Sequence, residues 1–231
     1  MTLRHELKYQ INALEYHVLK KKLAAILKPD PHMLPHRSYN VRTLYFDDYE
    51  DSAYHNKQAG VFKRKKYRLR IYNHSDSVIK FECKSKIGQY VLKNTTRVTR
   101  READRLIAED FDFFARTDNR LLQEFYLESK CKIMRPVTLV EYEREAYVHP
   151  IGNVRITFDT CLRSGLAVNT FFDKEAPTMS VLDFPVVLEV KYTEVFPEYI
   201  RGLFPDTIRP RLALGKYVIC RNQQLSQKGM L

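Results

Sequence analysis

The sequence predicts an α+β fold in which antiparallel strands close into a β-barrel with a polar, basic lumen, flanked by amphipathic helices. Several segments alternate strictly between apolar and charged residues, which is the period of a β-strand. Other segments have apolar residues at helical spacing, so each can cover one apolar face of a sheet. The 231 residues contain no repeat, no Ser/Gly linker and no low-complexity tract. We therefore expect residues 1–231 to form a single domain.

The first third of the chain predicts a strand, a helix and a second strand. The opening segment "LRHELKYQI" alternates, with its charged residues on one side. Asn12 then precedes "ALEYHVLKKKLAAIL", whose apolar spacing predicts a helix with Asn12 as its N-cap. Three prolines in "KPDPHMLP" end it. "YNVRTLYFD" (Tyr39–Asp47) is β-branched and aromatic, which favours a strand, and a short helix is expected before Gly60.

Three successive strands are predicted in the middle of the chain, joined by turns at "NHSDS" and "IGQ". They are Lys63–Tyr72, Val78–Lys86 and Gln89–Val98.

The remaining segments predict a mixture of helices and strands. Thr99 with Glu102 three residues later forms a capping-box pattern at the start of a helix. The other expected elements are a helix over Asn119–Lys130, strands over "VTLVEYEREAYV", "NVRITFDT" and "FPVVLEVKYT", a weak strand near Leu166–Asn169, and short helices near Pro197–Leu203 and Leu212–Gln224.

Composition limits the classes of function. The formal charge is +11, from 39 Lys and Arg against 28 Asp and Glu. This excess implies an acidic partner: a nucleic acid, an anionic membrane surface or a polyphosphorylated molecule. Only seven glycines are present, and neither a P-loop nor a Rossmann glycine pattern occurs.

Cysteine spacing and the lack of an apolar segment indicate a cytoplasmic protein. The four cysteines are far apart and form no C-x-x-C pair, so we expect reduced thiols and no zinc site. No signal peptide and no run of 18 apolar residues is visible, so no membrane segment is expected.

Six predicted strands carry basic residues on one face, most of them together with a carboxylate. The opposite faces are mostly apolar. The residues in phase are Arg4, Glu6 and Lys8; Lys66, Arg68 and Arg70; Lys80, Glu82, Lys84 and Lys86; Tyr142 and Arg144; Arg155, Thr157 and Asp159; and Glu189 and Lys191.

These charged faces favour a bound polyanion. For a single strand, a solvated face is the ordinary explanation. Repeated cations along one face repel each other unless counter-ions or a polyanionic ligand offset them, and the same bias in six strands favours a ligand. Carboxylate oxygens are the ligands that Mg²⁺ and Mn²⁺ prefer. The combination suits a complex of a triphosphate with a metal ion.

A set of short motifs occurs in a fixed order along the chain: "RHELKY", "LYFD", "KYRLRIY", "FECKSK", "EYEREAY", "VRITFDT", "VLEVKY" and "LGKY". Through these motifs the chain, from about Arg4 to about Arg221, resembles the polyphosphate polymerase domain of the vacuolar transporter chaperone (VTC) family in a stand-alone bacterial form. That family belongs to the triphosphate tunnel metalloenzymes, which share an antiparallel β-barrel tunnel.

The resemblance implies transfer of the terminal phosphate of ATP to a growing polyphosphate chain, with Mn²⁺ or Mg²⁺ as cofactor. ATP and polyphosphate would be the partners, and no nucleic acid is expected. By motif, the catalytic residues would be Lys8, Arg68, Arg70, Lys84 and Arg144; further phosphate contacts would come from Lys66, Lys86, Lys93, Arg155, Lys191 and Lys216; and the metal ligands would be Glu189, Glu82 and Glu6.

Two alternatives stay open at this point: a hydrolase of tripolyphosphate or nucleoside triphosphates on the same fold, and a non-catalytic polyanion-binding module. The E-x-E-x-K signature of other tunnel enzymes reads "HELK" here, which disfavours a thiamine-triphosphatase or adenylate cyclase activity. Residues 63–65, next to Lys66, are expected at the tunnel entrance, where they would attract polyanions.

Overall fold

A large antiparallel sheet with accompanying helices forms the fold. The computed structural model describes residues 4–33, 38–88, 90–181, 186–193, 195–205, 208, 215–227 and 229. The elements are β1 (Arg4–Ile11), α1 (Ala13–Ile26), β2 (Lys28–Pro29), β3 (Tyr39–Asp47), α2 (Ser52–Gln58), β4 (Lys63–Tyr72), β5 (Ser75–Ile87), β6 (Tyr90–Val98), α3 (Arg100–Ile107), α4 (Arg120–Lys132), β7 (Arg135–His149), β8 (Val154–Gly165), β9 (Thr178–Ser180), β10 (Val186–Thr193), α5 (Glu198–Arg201) and α6 (Lys216–Gln227).

Most of the expected elements are present, with one clear exception. The weak strand expected near Leu166–Asn169 is wrong, because a short 3-10 helix occupies Val168–Thr170 and β8 ends at Gly165. Gln89, at the expected start of β6, and residues 212–214, at the expected start of α6, lie outside the described residues, as does the side chain of Arg4.

The predicted N-cap Asn12 and the predicted capping box of Thr99 and Glu102 are confirmed, and Asn12 also forms a capping box. The Asn12 side chain accepts the Glu15 backbone N–H at 2.9 Å, and the Glu15 carboxylate accepts the Asn12 N–H at 2.9 Å. Thr99 and Glu102 make the same reciprocal pair at the start of α3. These caps satisfy backbone donors that the first turn of a helix leaves free.

The sheet is not closed by hydrogen bonds in the described part of the chain. Its strand order is β1-β10-β8-β7-β3-β4-β5-β6, with β2 beside β7 and β9 beside β8. A mixed α+β fold with a large antiparallel sheet is therefore confirmed, whereas the predicted closed barrel is not shown.

The chain divides into two compact units, each with its own core. Unit 1 comprises residues 1–40, 142–162 and 182–213, and its core packs β1, β8 and β10 against α1. Unit 2 comprises residues 41–141, 163–181 and 214–231, and its core packs β3, β4 and β5 against α3 and α4. Of the helices in the described ranges, none has the length and apolar composition needed to cross a bilayer.

Candidate functional site

The register of β4, β5 and β6 in unit 2 brings the charged residues of three strands onto one face. Lys66 lies opposite Lys84, which in turn lies opposite Lys93. Residues directly opposite each other in a ladder share a face, so the alternation continues across all three strands. We call this surface the cationic face; it carries nine cations and one carboxylate, namely Arg64, Lys66, Arg68, Arg70, Lys80, Lys84, Lys86, Lys93, Arg97 and Glu82.

The opposite face of these strands is apolar and belongs to the core of unit 2. Leu69, Ile71 and Phe81 are fully buried there beneath Leu122 and Phe125 of α4. Packing against α4 determines which face of each strand points to the core, since a slip of one residue would bury the cations there.

Glu82 is the carboxylate of the cationic face, and it is fully buried. Arg68 Nε donates to Glu82 Oε2 at 2.6 Å, Arg70 Nη1 lies 3.8 Å from the same oxygen, and Lys93 also forms an ion pair with Glu82. Burial alone would raise the pKa of Glu82, but the charges of Arg68, Arg70 and Lys93 outweigh it and lower the pKa to about 2. Glu82 on β5 thus fixes the positions of cations from the two strands that flank it, β4 and β6.

A row of three lysines crosses the cationic face next to Glu82. Lys66, Lys84 and Lys93 stand on neighbouring strands at opposite register positions. Like charges placed directly opposite each other are destabilising, so an anion bound across this row would relieve the repulsion. The arrangement suits an extended chain of phosphates, each of which carries negative charge.

Tyrosine side chains border the lysine row. The ammonium of Lys66 lies 4.7 Å from the ring centroid of Tyr217, whose hydroxyl donates to Asp47 at 2.5 Å. Burial would raise the pKa of Tyr45, but Arg68 and Arg70, with a contribution from Lys216, lower it. The Tyr45 pKa therefore reports a positive potential, to which Lys216 contributes.

Lys65, which the sequence predicts at a tunnel entrance, forms ion pairs with α4. It projects to the helical side of β4, where its ammonium donates to Glu124 at 2.5 Å and to Glu128 at 2.6 Å. Two carboxylates of α4 therefore offset its charge. Lys63 and Arg64 line a cavity of about 340 Å³ with Asp48 and Asn56.

A second charged face lies in unit 1, on β1, β10 and β8. Glu6 is opposite Lys191, and Lys8 is opposite Glu189, which is in turn opposite Thr157. We call this surface the mixed face; it comprises Glu6, Lys8, Arg155, Thr157, Asp159, Glu189 and Lys191. Cations and carboxylates alternate on it, in contrast to the cationic face of unit 2.

Ion pairs connect the mixed face to Arg144 of β7. Lys8 Nζ lies 2.8 Å from Glu6 Oε1, and Lys191 Nζ lies 2.7 Å from Glu189 Oε1. Arg144 donates to both oxygens of Asp159, and its Nη2 lies 3.6 Å from Glu189 Oε2. Burial lowers the pKa of Lys191 to about 8 although Glu189 acts in the opposite direction. Burial opposes the charge of Arg144 too, but Asp159 outweighs it and raises the Arg144 pKa.

Arg155, a predicted phosphate contact, is held by other side chains of unit 1. Its Nη1 donates to Asp30, and its Nη2 donates to the Tyr39 hydroxyl at 3.1 Å. Burial would raise the pKa of Asp30, but hydrogen bonds from His32 and the charge of Arg155 lower it. Much of the Arg155 charge is therefore compensated by a carboxylate that the sequence did not point to.

The mixed face fits a divalent cation in the kind of ligands it offers. Glu6 and Glu189 supply carboxylate oxygens, and the buried Thr157 Oγ1 beside Glu189 has no hydrogen-bond partner among the described residues. In the same ranges, no three His, Cys, Asp or Glu side chains are grouped to hold a metal by themselves. Mg²⁺ in phosphate-handling proteins is bound by one or two carboxylates together with substrate phosphates, so a preformed cage is not required.

The structure brings the predicted residues together within each unit. Unit 2 holds Arg68, Arg70, Lys66, Lys84, Lys86, Lys93 and Glu82 on the cationic face, with Lys216 near Tyr45. Unit 1 holds Lys8, Glu6, Glu189 and Lys191 on the mixed face, with Arg144 and Arg155 in ion pairs. The predicted site residues do not include Asp159, although the alternation of the sequence places it on the same strand face as Arg155 and Thr157. It also lacks Tyr45, because nothing in the sequence shows that its hydroxyl accepts a hydrogen bond from Arg68.

Comparison with solved structures shows a shared fold at low sequence identity. The PH1819 protein from Pyrococcus horikoshii OT3 is 12% identical, with a TM-score of 0.49, over 95% of this chain and 99% of that one. A Bacillus halodurans protein described as a candidate adenylate cyclase is 11% identical, with a TM-score of 0.50, over 100% of this chain and 91% of that one. The second similarity supports a common fold. No curated protein sequence matches the chain.

Comparison with family models gives a direct assignment. The model described as VTC domain matches residues 3–223, which is nearly the whole chain. This match agrees with the order of motifs in the sequence and with the two charged faces. The chain belongs to the VTC domain family.

Proposed function

We propose that the protein is a metal-dependent polyphosphate polymerase, which transfers the γ-phosphate of ATP to a growing polyphosphate chain. The observation that carries the proposal is the cationic face, where nine cations share one side of the sheet with a single buried carboxylate. Membership of the VTC domain family supports the same substrate class. Closure of the sheet into a barrel tunnel and a cytoplasmic location remain predictions; the free thiols of all four cysteines are compatible with a reducing compartment.

The proposed role of the cationic face is to bind and align phosphates. Arg68, Arg70 and Lys84 would contact phosphoryl oxygens, and Lys66, Lys86 and Lys93 would extend the contacts along the chain. Phosphoryl transfer needs little covalent chemistry from the protein, because positioning and charge neutralisation supply most of the catalysis. Glu82 contributes by holding Arg68 and Arg70 in fixed orientations.

The reaction balances without a residue that forms a covalent bond. A terminal oxygen of polyphosphate attacks the γ-phosphorus of ATP, the bond from that phosphorus to the β–γ bridging oxygen breaks, and ADP leaves. Negative charge moves to the leaving diphosphate, where fixed cations stabilise it. In unit 1, Lys8 and Lys191 of the mixed face and the neighbouring Arg144 are the proposed source of such cations. Arg155 of unit 1 and Lys216 of unit 2 are proposed as additional phosphate contacts.

Glu189 and Glu6 are the proposed metal ligands. A bound Mn²⁺ or Mg²⁺ would neutralise phosphate oxygens and fix their geometry. For Glu82 the metal role is less favoured, because the cationic face has no second carboxylate, whereas Glu189 shares the mixed face with Glu6.

Incubation of the purified protein with ATP and Mn²⁺ tests the proposal. We expect a ladder of polyphosphate on a gel together with ADP in equal amount to the phosphate incorporated. Arg70→Ala should abolish polymer, while Lys174→Ala, which removes an exposed charge elsewhere in unit 2, should not. Orthophosphate released from tripolyphosphate or ATP without polymer would assign a hydrolase instead. Phosphate binding that chelator does not weaken, without turnover of either compound, would assign a binding module.

A further inference from the structure

The end of the β5–β6 hairpin and the residues before β4 expose apolar side chains. Phe62 is 69% exposed, Tyr90 is 53% exposed and Ile87 is 46% exposed. We call this region the hairpin tip and define it as residues 61–66, 84–88 and 90–93. Its exposed apolar residues are Val61, Phe62, Ile87, Tyr90, Val91 and Leu92.

These side chains are neighbours in space. Ile87 lies opposite both Lys63 and Tyr90, and the Gly88 N–H donates to the Phe62 carbonyl at 2.9 Å. The Phe62 ring covers Gly88 so closely that a Cβ there would lie 2.7 Å from Phe62 Cε2. The tip therefore presents an apolar patch of exposed side chains from both faces of the hairpin, and such a patch on a folded protein usually marks an interaction surface.

Cations surround the apolar patch, and no carboxylate belongs to the tip. The seven cations are Lys63, Arg64, Lys65, Lys66, Lys84, Lys86 and Lys93. Lys65 is offset by Glu124 and Glu128, and Lys93 by Glu82. The tip still has a strong positive potential, and the +11 charge of the chain adds to it at long range.

We propose that the hairpin tip docks on an anionic lipid bilayer. Aromatic and aliphatic side chains beside lysines and arginines suit the two layers of such a surface, which are the apolar acyl chains and the anionic headgroups. The apolar groups enter the boundary between headgroups and acyl chains, and the cations remain at the phosphate level.

The chain contains no tryptophan, so Phe62→Trp introduces a unique reporter at the most exposed apolar position of the tip. The test adds vesicles of equal parts phosphatidylcholine and phosphatidylserine, or of phosphatidylcholine alone, to the full-length variant. We expect a blue shift of tryptophan emission and sedimentation with the vesicles only when phosphatidylserine is present. High salt should reverse both, since screening weakens the attraction between cations and lipid.

Leu127→Trp is the matched control, because Leu127 is 59% exposed on α4 of the same unit and outside the tip. Its emission should stay unchanged with either vesicle. In the otherwise native chain, Phe62→Ser combined with Tyr90→Ser should lose sedimentation while polymer synthesis in lipid-free solution is retained.

Three results would overturn the proposal. One is an unchanged Phe62→Trp emission with anionic vesicles, and another is equal binding to both kinds of vesicle. The third is that, in the absence of lipid, the double serine variant has a smaller hydrodynamic size than the chain without the two substitutions. That result would assign the patch to contact between copies of the chain. Each result is independent of polymer synthesis, so the docking proposal and the proposed function can fail separately.

Discussion

Arg144 donates hydrogen bonds to both carboxylate oxygens of Asp159, from Nε at 2.6 Å and from Nη2 at 2.7 Å. Asp159 is fully buried, and the Arg144 side chain is 11% exposed. The bidentate geometry is the strong form of a charge-assisted hydrogen bond and fixes the plane of the guanidinium. Asp159 therefore holds Arg144 in place beside the mixed face.

Asp159→Asn should destabilise the protein by about 3 kcal/mol, because removing one partner of a buried ion pair leaves a buried charge without its counter-charge. Urea unfolding measures the change. The control is Asp104→Asn, which breaks the exposed pair between Arg100 and Asp104 on α3 and should cost less than about 1 kcal/mol. Equal effects of the two substitutions would contradict the structural role of Asp159.

Glu82→Gln should remove a pH-dependent part of the stability. The pKa of Glu82 is lowered from 4.5 to about 2 in the folded state, so its contribution is complete above pH 4.5 and is lost as the pH falls toward about 2. That shift corresponds to about 3 kcal/mol. Unfolding measured across this range should show the wild type converging on the variant at low pH. If the free energies of unfolding of the two proteins changed with pH in the same way, a depressed pKa of Glu82 would be excluded.

The same substitution separates two roles for Glu82. If Glu82 positions the arginines, Glu82→Gln should bind tripolyphosphate at least as tightly as the wild type, because one negative charge is gone, yet turn over more slowly. A metal ligand would behave differently, since its loss would raise the Mn²⁺ concentration needed for half-maximal activity. Titration of activity with Mn²⁺ distinguishes the two outcomes, and an unchanged Mn²⁺ requirement is expected.

Phosphate affinity should fall as the pH rises through about 8. Burial lowers the pKa of Lys191 to about 8, so its positive charge is present below this pH and lost above it. Lys191→Arg should flatten the profile, because a guanidinium stays charged throughout the range. Tripolyphosphate affinity measured from about pH 7 to about pH 9 tests this, and an identical pH profile in the arginine variant would contradict it.

Tripolyphosphate should stabilise the folded protein. A ligand at a hundred times its Kd contributes about 2.7 kcal/mol, which for a chain of this size raises the Tm by roughly 5–10 °C. Thermal unfolding with and without tripolyphosphate measures the shift. Added NaCl should reduce it, because phosphate contacts with lysine and arginine are screened. A shift that salt leaves unchanged would argue against binding by the cationic face.

Strand phase was the part of the structure that the sequence predicted best. Lys66, Arg68 and Arg70 follow the period of a strand, and the alternate residues are apolar, so their separation onto two faces could be expected. The register then places Lys84 opposite Lys66, as hydrophobic burial on the other face requires. Local rules of this kind need no information from distant parts of the chain.

Ion pairs between distant segments could not be predicted in the same way. Asp30 and Arg155 form an ion pair although 125 positions separate them in the sequence, and Glu141 and the buried Arg42 do so across 99 positions. Whether a sheet closes into a barrel depends on where its two edge strands lie, and alternation along a strand carries no information on that. For the same reason, the basic residues around Lys65 did not predict its two partners on α4, Glu124 and Glu128.

Phosphate binding by the cationic face is tested by comparing the affinities of Lys84→Ala and Lys174→Ala for tripolyphosphate, measured by titration calorimetry at one salt concentration. Both substitutions remove one positive charge from unit 2, but only Lys84 belongs to the cationic face. A hydrogen bond to a charged group contributes about 1.5–3 kcal/mol, so Lys84→Ala should weaken binding about tenfold or more. Lys174→Ala should leave the affinity close to that of the wild type. Equal affinities for the two variants would contradict phosphate binding by the cationic face.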